Sequence, residues 1–397
     1  VTMGGGLAML GGLLLLADMA DTWLLSGIVS SAPDYVDDPR LSSAIVLVLI
    51  GTFAKSAQFP FHFWLPNAMS APTPVSAYLH SATMVKLGIY LMARLDPAFN
   101  DLLLWEVLLI TVGTITALWA AFLALRERDL KRILARSTVS ALGTLTLLIG
   151  LPSPGSGLAV VAFLFAHALY KAPLFMIAGN IDHATGTRNI DRLMGLRHAM
   201  PWSAAAAIIA GLSMAGLPLA FGFVAKDIIG IAKEQADLIS LVSYILLLVN
   251  AAVAAVAGIA AIRVFWGPRE IPAGRVHEVP WTMLLPPLGI ALLGVEFEFF
   301  PDVADPLLLA AAQSISPGYG PSEISSSYAL DKLLSATGVT LLLGVVIFLS
   351  WDRLHKALSS MHWLDRFGPE ASFDAMLDAV KKIAAIHTRH VQSGRLD

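Results

Sequence analysis

The feature that most constrains this chain is the recurrence, along most of its length, of apolar runs of ~18 or more residues, long enough for a helix to cross a bilayer. In hydrocarbon only helices and closed barrels satisfy every backbone polar group. Runs this long without strict alternation specify helix. Of 397 residues, 56% are hydrophobic and 14% charged, against about 25% charged in soluble domains. The mean hydropathy is +0.72. The expected fold class is all-α, a polytopic membrane helix bundle.

Ten spans are expected at roughly 5–28, 43–66, 74–94, 102–125, 136–151, 158–180, 201–225, 238–265, 281–300 and 336–351. Connecting stretches alternate in charge. "RERDLKRILAR" (126–136) carries five Lys/Arg, 182–199 carries Arg188, Arg192 and Arg197, 266–280 carries Arg269 and Arg275, and the tail after 351 is basic. The alternate loops, "DYVDDPR" (34–40), "LPSPGSG" (151–157) and 301–331, are acidic or neutral. The excess of Lys and Arg places the basic loops and the tail in the cytoplasm, and the chain in the inner (plasma) membrane. Residues 371–391 place Phe373, Met376, Leu377, Val380, Ile383 and Ala384 at helical spacing, an amphipathic helix for the membrane surface or a partner. The organisation expected is a transmembrane bundle over 1–351 and an interfacial or cytoplasmic amphipathic segment over 352–397. The chain opens at Val1 directly into an apolar run, with no charged n-region, so its first helices are expected upstream.

Several charges fall at membrane depth: Lys55 in "AKSAQFPFHFWLP", His80 and Lys86 in "SAYLHSATMVKLGIYLMARL", His167 and Lys171 in "VVAFLFAHALYKAPLFMIAG", and Lys226 after "LSMAGLPLAFGFVAK". A central lysine costs ~2.5–3.5 kcal/mol on insertion scales, and such residues face a bundle interior or a water-filled cavity. Prolines accompany them: Pro60 follows Lys55 by five residues, Pro173 follows Lys171 by two, and Pro218 precedes Lys226 by eight. Each removes a helical hydrogen bond and frees a carbonyl, that of Ser56, Leu169 or Met214, so each is expected to break its helix. Lysine in a desolvated site and histidine near neutral pH both exchange protons readily. His167 and Lys171, four apart, share a helical face. His80 and Lys86, six apart, would point in different directions on one helix.

Plainer uses compete. A lysine near a span end snorkels to the headgroups, a use open to Lys226 and Lys86. His62 sits near a span end and reads as interfacial, and the nine tryptophans read as interface anchors. There is no P-loop, dinucleotide fingerprint, H-E-x-x-H or EF-hand pattern. With no cysteine, thiolate metal sites are excluded. No cofactor, metal site or nucleic-acid partner is expected.

The stretches "AKSAQFPFHFWLPNAMSAPTPVSAYLHSATMVKLGIYLM" (54–92), "HALYKAPLFMIAGNIDHATGTRNIDRL" (167–193) and "GLSMAGLPLAFGFVAKD" (211–227) resemble the proton-translocating antiporter-like family. That family is shared by respiratory complex I and Mrp-type sodium/proton antiporters. "FPFHFWLP", Lys86 and "HATGTRNIDRL" look most like the large A subunit of the Mrp type. The resemblance implies two inverted five-helix repeats, each with one broken helix. It implies a proton relay of Lys55 on the first broken helix, His80 and Lys86 on the next, His167 and Lys171 on a connecting helix, and Lys226 on the second broken helix. It implies a transporter component rather than an enzyme, moving protons against sodium among other membrane subunits in a lipid bilayer. The alternative is the proton-pumping counterpart in complex I or a membrane-bound hydrogenase. The family's glutamate partner for the first lysine has no match: Asp18 and Asp21 lie in the wrong context, and that glutamate is expected upstream of Val1.

Overall fold

The computed structural model describes residues 1–236, 240–267, 276–316, 336–361, 366 and 368–391. Among them the chain is helical throughout, and the one extended pairing is a bridge between Asp129 and Asn189. Arg269, Arg275 and the stretch from 317 to 331 lie outside the described residues.

Helix α1 (Thr2–Met19) packs along α4 (Leu41–Lys55), with the short helices α2 (Leu25–Ser30) and α3 (Ala32–Tyr35) between them in the chain. Past α4 the chain unwinds and re-enters a single turn, α5 (Trp64–Asn67). Two half-length helices follow, α6 (Thr73–Ser81) and α7 (Lys86–Phe99). Next come α8 (Leu103–Leu125), α9 (Leu130–Ile149) and α10 (Ser156–Thr185). Helix α11 (Pro201–Ala215) is separated by a second unwound stretch from α12 (Gly222–Gln235). Helix α13 (Ser240–Gly258) runs on through a π-turn at Ile259–Arg263. Then come α14 (Trp281–Phe299), α15 (Asp305–Gln313), α16 (Ala336–Ser359) and α17 (Pro369–Val391). Among the described residues seven helices are long and apolar enough to cross a membrane, and Leu41–Lys55 and Pro201–Ala215 are shorter apolar helices.

Several expectations need correction. The fifth span begins at Leu130, because the Asp129 carboxylate caps the helix by accepting from the backbone N–H of Lys131 and Arg132. Lys131, Arg132 and Arg136 are thus helical, and Lys131 is buried. The tenth span runs on to Ser359, past 351. Pro173 does not break its helix: α10 runs through it as 30 continuous residues. Its neighbours α6, α9, α11, α12 and α14 pack around it, and a transmembrane helix so surrounded tolerates one lost backbone bond. His62 is not interfacial but buried, because the chain turns back after the first unwound stretch and tucks the ring against α8, where its Nε2 accepts from Trp119 Nε1 at 3.0 Å. Two tryptophans are likewise inside: Trp105 donates to the buried Asp96 at 2.9 Å, and Trp351 to the Leu125 carbonyl at 2.9 Å.

Trp351 anchors the face that carries the basic loops. The guanidinium groups of Arg128 and Arg263 lie over its ring at 4.1 and 4.7 Å. Both also bond the Asp352 carboxylate, each at 3.0 Å. Arg128 reaches Asp191 at 2.7 Å, so the loops after α8 and α10 and the end of α16 meet at one node. The helix expected at 371–391 is α17. It docks on the first re-entrant turn through Glu370, which accepts from Asn67 Nδ2 at 2.7 Å, and Phe373, whose ring lies 5.2 Å from that of Phe63.

Candidate functional site

Pro60 and Pro218 fall in the two unwound stretches. In the first, α4 ends at Lys55, and the freed Ser56 carbonyl accepts from Gln58 Nε2 at 2.9 Å. The Phe59 N–H finds Thr116 Oγ1 at 2.9 Å, and Trp64 Nε1 donates to the Ala54 carbonyl at 2.9 Å. Neighbouring side chains thus replace the missing helical bonds. Lys55 sits half-buried at the lip of this break, and no hydrogen bond or ion pair to it is seen among the described residues.

A further interruption, between Ser81 and Lys86, is not marked by proline or glycine. Ser56 Oγ donates to the Val85 carbonyl at 2.7 Å and accepts from the Ile89 N–H at 3.1 Å, so the first break and this one are tied together. Gly88 makes the approach possible, since a Cβ there would strike Ser56 Oγ and the Thr52 carbonyl. The buried Lys86 reaches back and donates to the Ser81 carbonyl, the last of α6, and to the Leu164 carbonyl of α10 at 3.4 Å. Because the chain breaks here, His80 and Lys86 do not diverge as on one helix. Both bear on α10: the charged groups acting on His167 are Lys86, Lys171 and His80.

His167 and Lys171 lie fully buried on α10. Lys171 Nζ donates to Ser137 Oγ and, at 3.1 Å, to the Leu134 carbonyl of α9. His80 stacks on Phe175 at 4.6 Å, and His167 packs edge-on against Tyr170 at 5.3 Å and Phe163 at 6.3 Å. None of the four ring nitrogens of these two histidines has a hydrogen-bond partner among the described residues. Phe163 also lines a cavity of about 240 Å³ into which Lys226 projects, so His167 and Lys226 lie on either side of one ring.

The second break is a regular helix stop. Gly216 takes the left-handed conformation at φ +71°, the Leu217 N–H bonds the Leu212 carbonyl at 3.0 Å, and the Gly216 N–H bonds that of Ser213 at 3.0 Å. Lys226, on the second turn of α12, folds back across this stop and donates to the Ala215 carbonyl at 2.5 Å. A Cβ on Gly216 would collide with the Lys226 side chain, so the glycine serves both the turn and the lysine. The lysine thus takes the carbonyl after that of Met214, the one proline spacing singles out.

All six residues expected in the relay lie on the segments around these breaks and α10. Sequence reasoning missed Lys131. It is 1% exposed, donates to the Ala71 carbonyl at 2.9 Å, and acts with Lys171 on His80. The signal was Asp129, an N-cap that moves Lys131 from a loop into a helix. Lys131 also lines a cavity of about 730 Å³ with Asn180, Asp182, His183 and Arg188, on the basic-loop face. Among the described residues no three His, Asp or Glu side chains gather as metal ligands. Asp18 is bonded to Arg40 at 2.8 Å and so is engaged away from Lys55.

The transmembrane family model of NADH:quinone oxidoreductase and Mrp antiporters matches residues 1–253. The chain is 42% identical over 344 residues to the large Na(+)/H(+) antiporter protein of Alkalihalophilus pseudofirmus, its A subunit, covering 80% of this chain and 43% of that protein. It is 37% identical over 402 residues to the corresponding A1 subunit of Staphylococcus haemolyticus, covering 93% of this chain and 50% of that one. The chain thus spans about half the length of these curated relatives. In three dimensions it is similar to a chain of the Mrp complex from a Dietzia species, with a TM-score of 0.88, 33% identity, and coverage of 100% of this chain and 43% of that one. Respiratory complex I from Thermus thermophilus shares the fold, with a TM-score of 0.68 at 24% identity over 79% of this chain and 67% of that chain.

Proposed function

We propose that this chain, which belongs to the NADH:quinone oxidoreductase/Mrp antiporter transmembrane family, is the proton-conducting part of a sodium/proton antiporter complex. Its relatives named as Na(+)/H(+) antiporter proteins match it at 42% and 37% identity, against 24% for the complex I chain, which supports the antiporter reading over a redox-driven one. The conduction path is the series Lys55, Lys86 and His80, His167, Lys171 and Lys226. Partner membrane proteins complete the assembly in the plasma membrane, with the basic loops and the tail on the cytoplasmic side.

One observation carries this reading. Lys86, Lys171 and Lys226 are each held by backbone carbonyls or a hydroxyl, and among the described residues none forms an ion pair. A purely structural buried lysine would be paired with a carboxylate, because an uncompensated charge costs several kcal/mol. A carbonyl accepts from an ammonium and from a neutral amine alike, so neither protonation state is locked. The lone ring nitrogens of His80 and His167 fit the same scheme, since a buried polar atom without a partner costs ~1–3 kcal/mol unless water serves it. In the mechanism, a proton reaching one group repels the proton on the next, and charge advances stepwise from Lys55 toward Lys226.

The test is sodium/proton exchange in everted vesicles carrying the complete complex, with Lys55→Ala or Lys226→Ala in this chain. Each is expected to abolish exchange while the complex still assembles. Wild-type rates in both variants would reject the relay.

A further inference from the structure

The 240 Å³ cavity beside Lys226 has a chemistry of its own. Lys226 and Lys233 both line it, seven residues and so about 10 Å apart along one face of α12. The rest of its polar lining includes Thr144, Ser243, Asn250 and Thr340. Among the described residues no carboxylate lines it, although Asp227 and Glu234 are on the same helix. Its position in the fold is fixed at both ends. The Ser153 hydroxyl donates to Gln235 at 3.1 Å, joining the end of α12 to the 151–157 loop. Thr337 on its rim begins α16, whose other end holds Asp352 against Arg128 on the basic-loop face. The cavity therefore lies toward the face opposite the basic loops, with Lys226 as its inner group and Lys233 as its outer one.

We propose that this cavity is the proton outlet of the relay and that the Lys233 ammonium excludes sodium from it. The proposal rests on the relay reading above and adds an outlet and its selectivity. At the outlet one N–H bond of the Lys226 ammonium breaks, its proton passes to water, and the amine keeps the electron pair. Hydroxyl and amide groups carry such water onward. A sodium ion entering from outside meets two positive charges and no carboxylate, a field that repels it. Sodium consequently crosses the complex elsewhere, and exchange is not short-circuited at this point.

Gly230 lines the same cavity, and among the described residues a Cβ added there meets no atom within 4 Å. Gly230→Leu should therefore fill the cavity without disturbing α12. In the intact complex it is expected to slow exchange severalfold, while Gly289→Leu, the same change at an open position on the outer face of α14, leaves it at the wild-type rate. Lys233→Gln is expected to make proton release sensitive to sodium on the outlet face, and Lys233→Arg to restore insensitivity, since only the charge is required. Because the chain contains no cysteine, Asn250→Cys introduces a single thiol, which a membrane-impermeant maleimide should label in this chain from the face opposite the basic loops. Wild-type exchange in Gly230→Leu, or labelling from the basic-loop face alone, would overturn the outlet while Lys226→Ala still abolishes exchange. Silence of Lys226→Ala would instead remove the relay itself.

Discussion

The two proline-marked breaks solve one problem in different ways. At the second, the chain stops on Gly216, and Lys226 closes the gap by bonding the last carbonyl of the helix it has just left. At the first, side chains from other segments do that work: Gln58, Thr116 and Trp64 satisfy the backbone, and Ser56 ties the break to the one before Lys86. Lys55 is left at the lip, and the chain passes through Ala57 at φ 49° without a glycine. The second break is thus a local device, built from residues within about a dozen positions of one another. The first is a tertiary one, stable only while α7 and α8 are packed against it.

This difference predicts opposite responses to glycine chemistry. Gly216→Val places a β-branched residue in a left-handed conformation against Lys226, at a cost of ~1–3 kcal/mol. Exchange is expected to fall by at least about tenfold, because Lys226 is displaced from its carbonyl. Ala57→Gly relieves the same kind of strain at the first break and should leave exchange near wild type. A thermal melt of the purified complex and a vesicle assay on both variants check this pair. Equal losses would show that the two breaks do not differ as described.

A middling effect is expected at the junction of the first two breaks. Ser56→Ala removes two hydrogen bonds from buried backbone groups, about 1–3 kcal/mol in all. It should lower the melting temperature and loosen α7 without moving Lys226, so exchange supported by the second break persists at reduced rate. Loss as complete as in Lys226→Ala would mean that the two breaks act as one unit.

The smallest effect belongs to the exposed loop before α4. Arg40 bonds Asp38 at 2.9 Å and Asp18 at 2.8 Å, and the hydrogen bonds from Arg40 hold the Asp38 carboxyl below its ordinary value. Solvent screens exposed pairs of this kind and leaves them little net effect on stability, so Arg40→Ala should be nearly silent at neutral pH. A carboxyl shifted down stabilises the fold above its unfolded pKa and loses that contribution as pH falls through the folded one. The small difference in melting temperature between Arg40→Ala and wild type should therefore disappear in acid.

Much of this was legible in the sequence, for identifiable reasons. Apolar length placed the spans, and proline with nearby glycine placed the breaks at Pro60 and Pro218. Pro173 misled because the effect of proline depends on neighbours, and α10 is packed on every side. The break before Lys86 was invisible because Ala82, Thr83, Met84 and Val85 contain no breaker, and Ser56, 29 residues away, supplies the bond that permits it. Lys131 was hidden by its charge, which read as loop until Asp129 was recognised as a cap. The six relay residues could be named from membrane depth alone, but not that His80 and Lys86 converge on His167.

The central claim is that the buried lysines shed and regain protons rather than merely holding charge. Arginine keeps the charge but does not deprotonate in proteins. The most direct measurement is therefore sodium/proton exchange by the reconstituted complex with Lys171→Arg in this chain. The account predicts loss of exchange in an assembled complex, and exchange at the wild-type rate would contradict it.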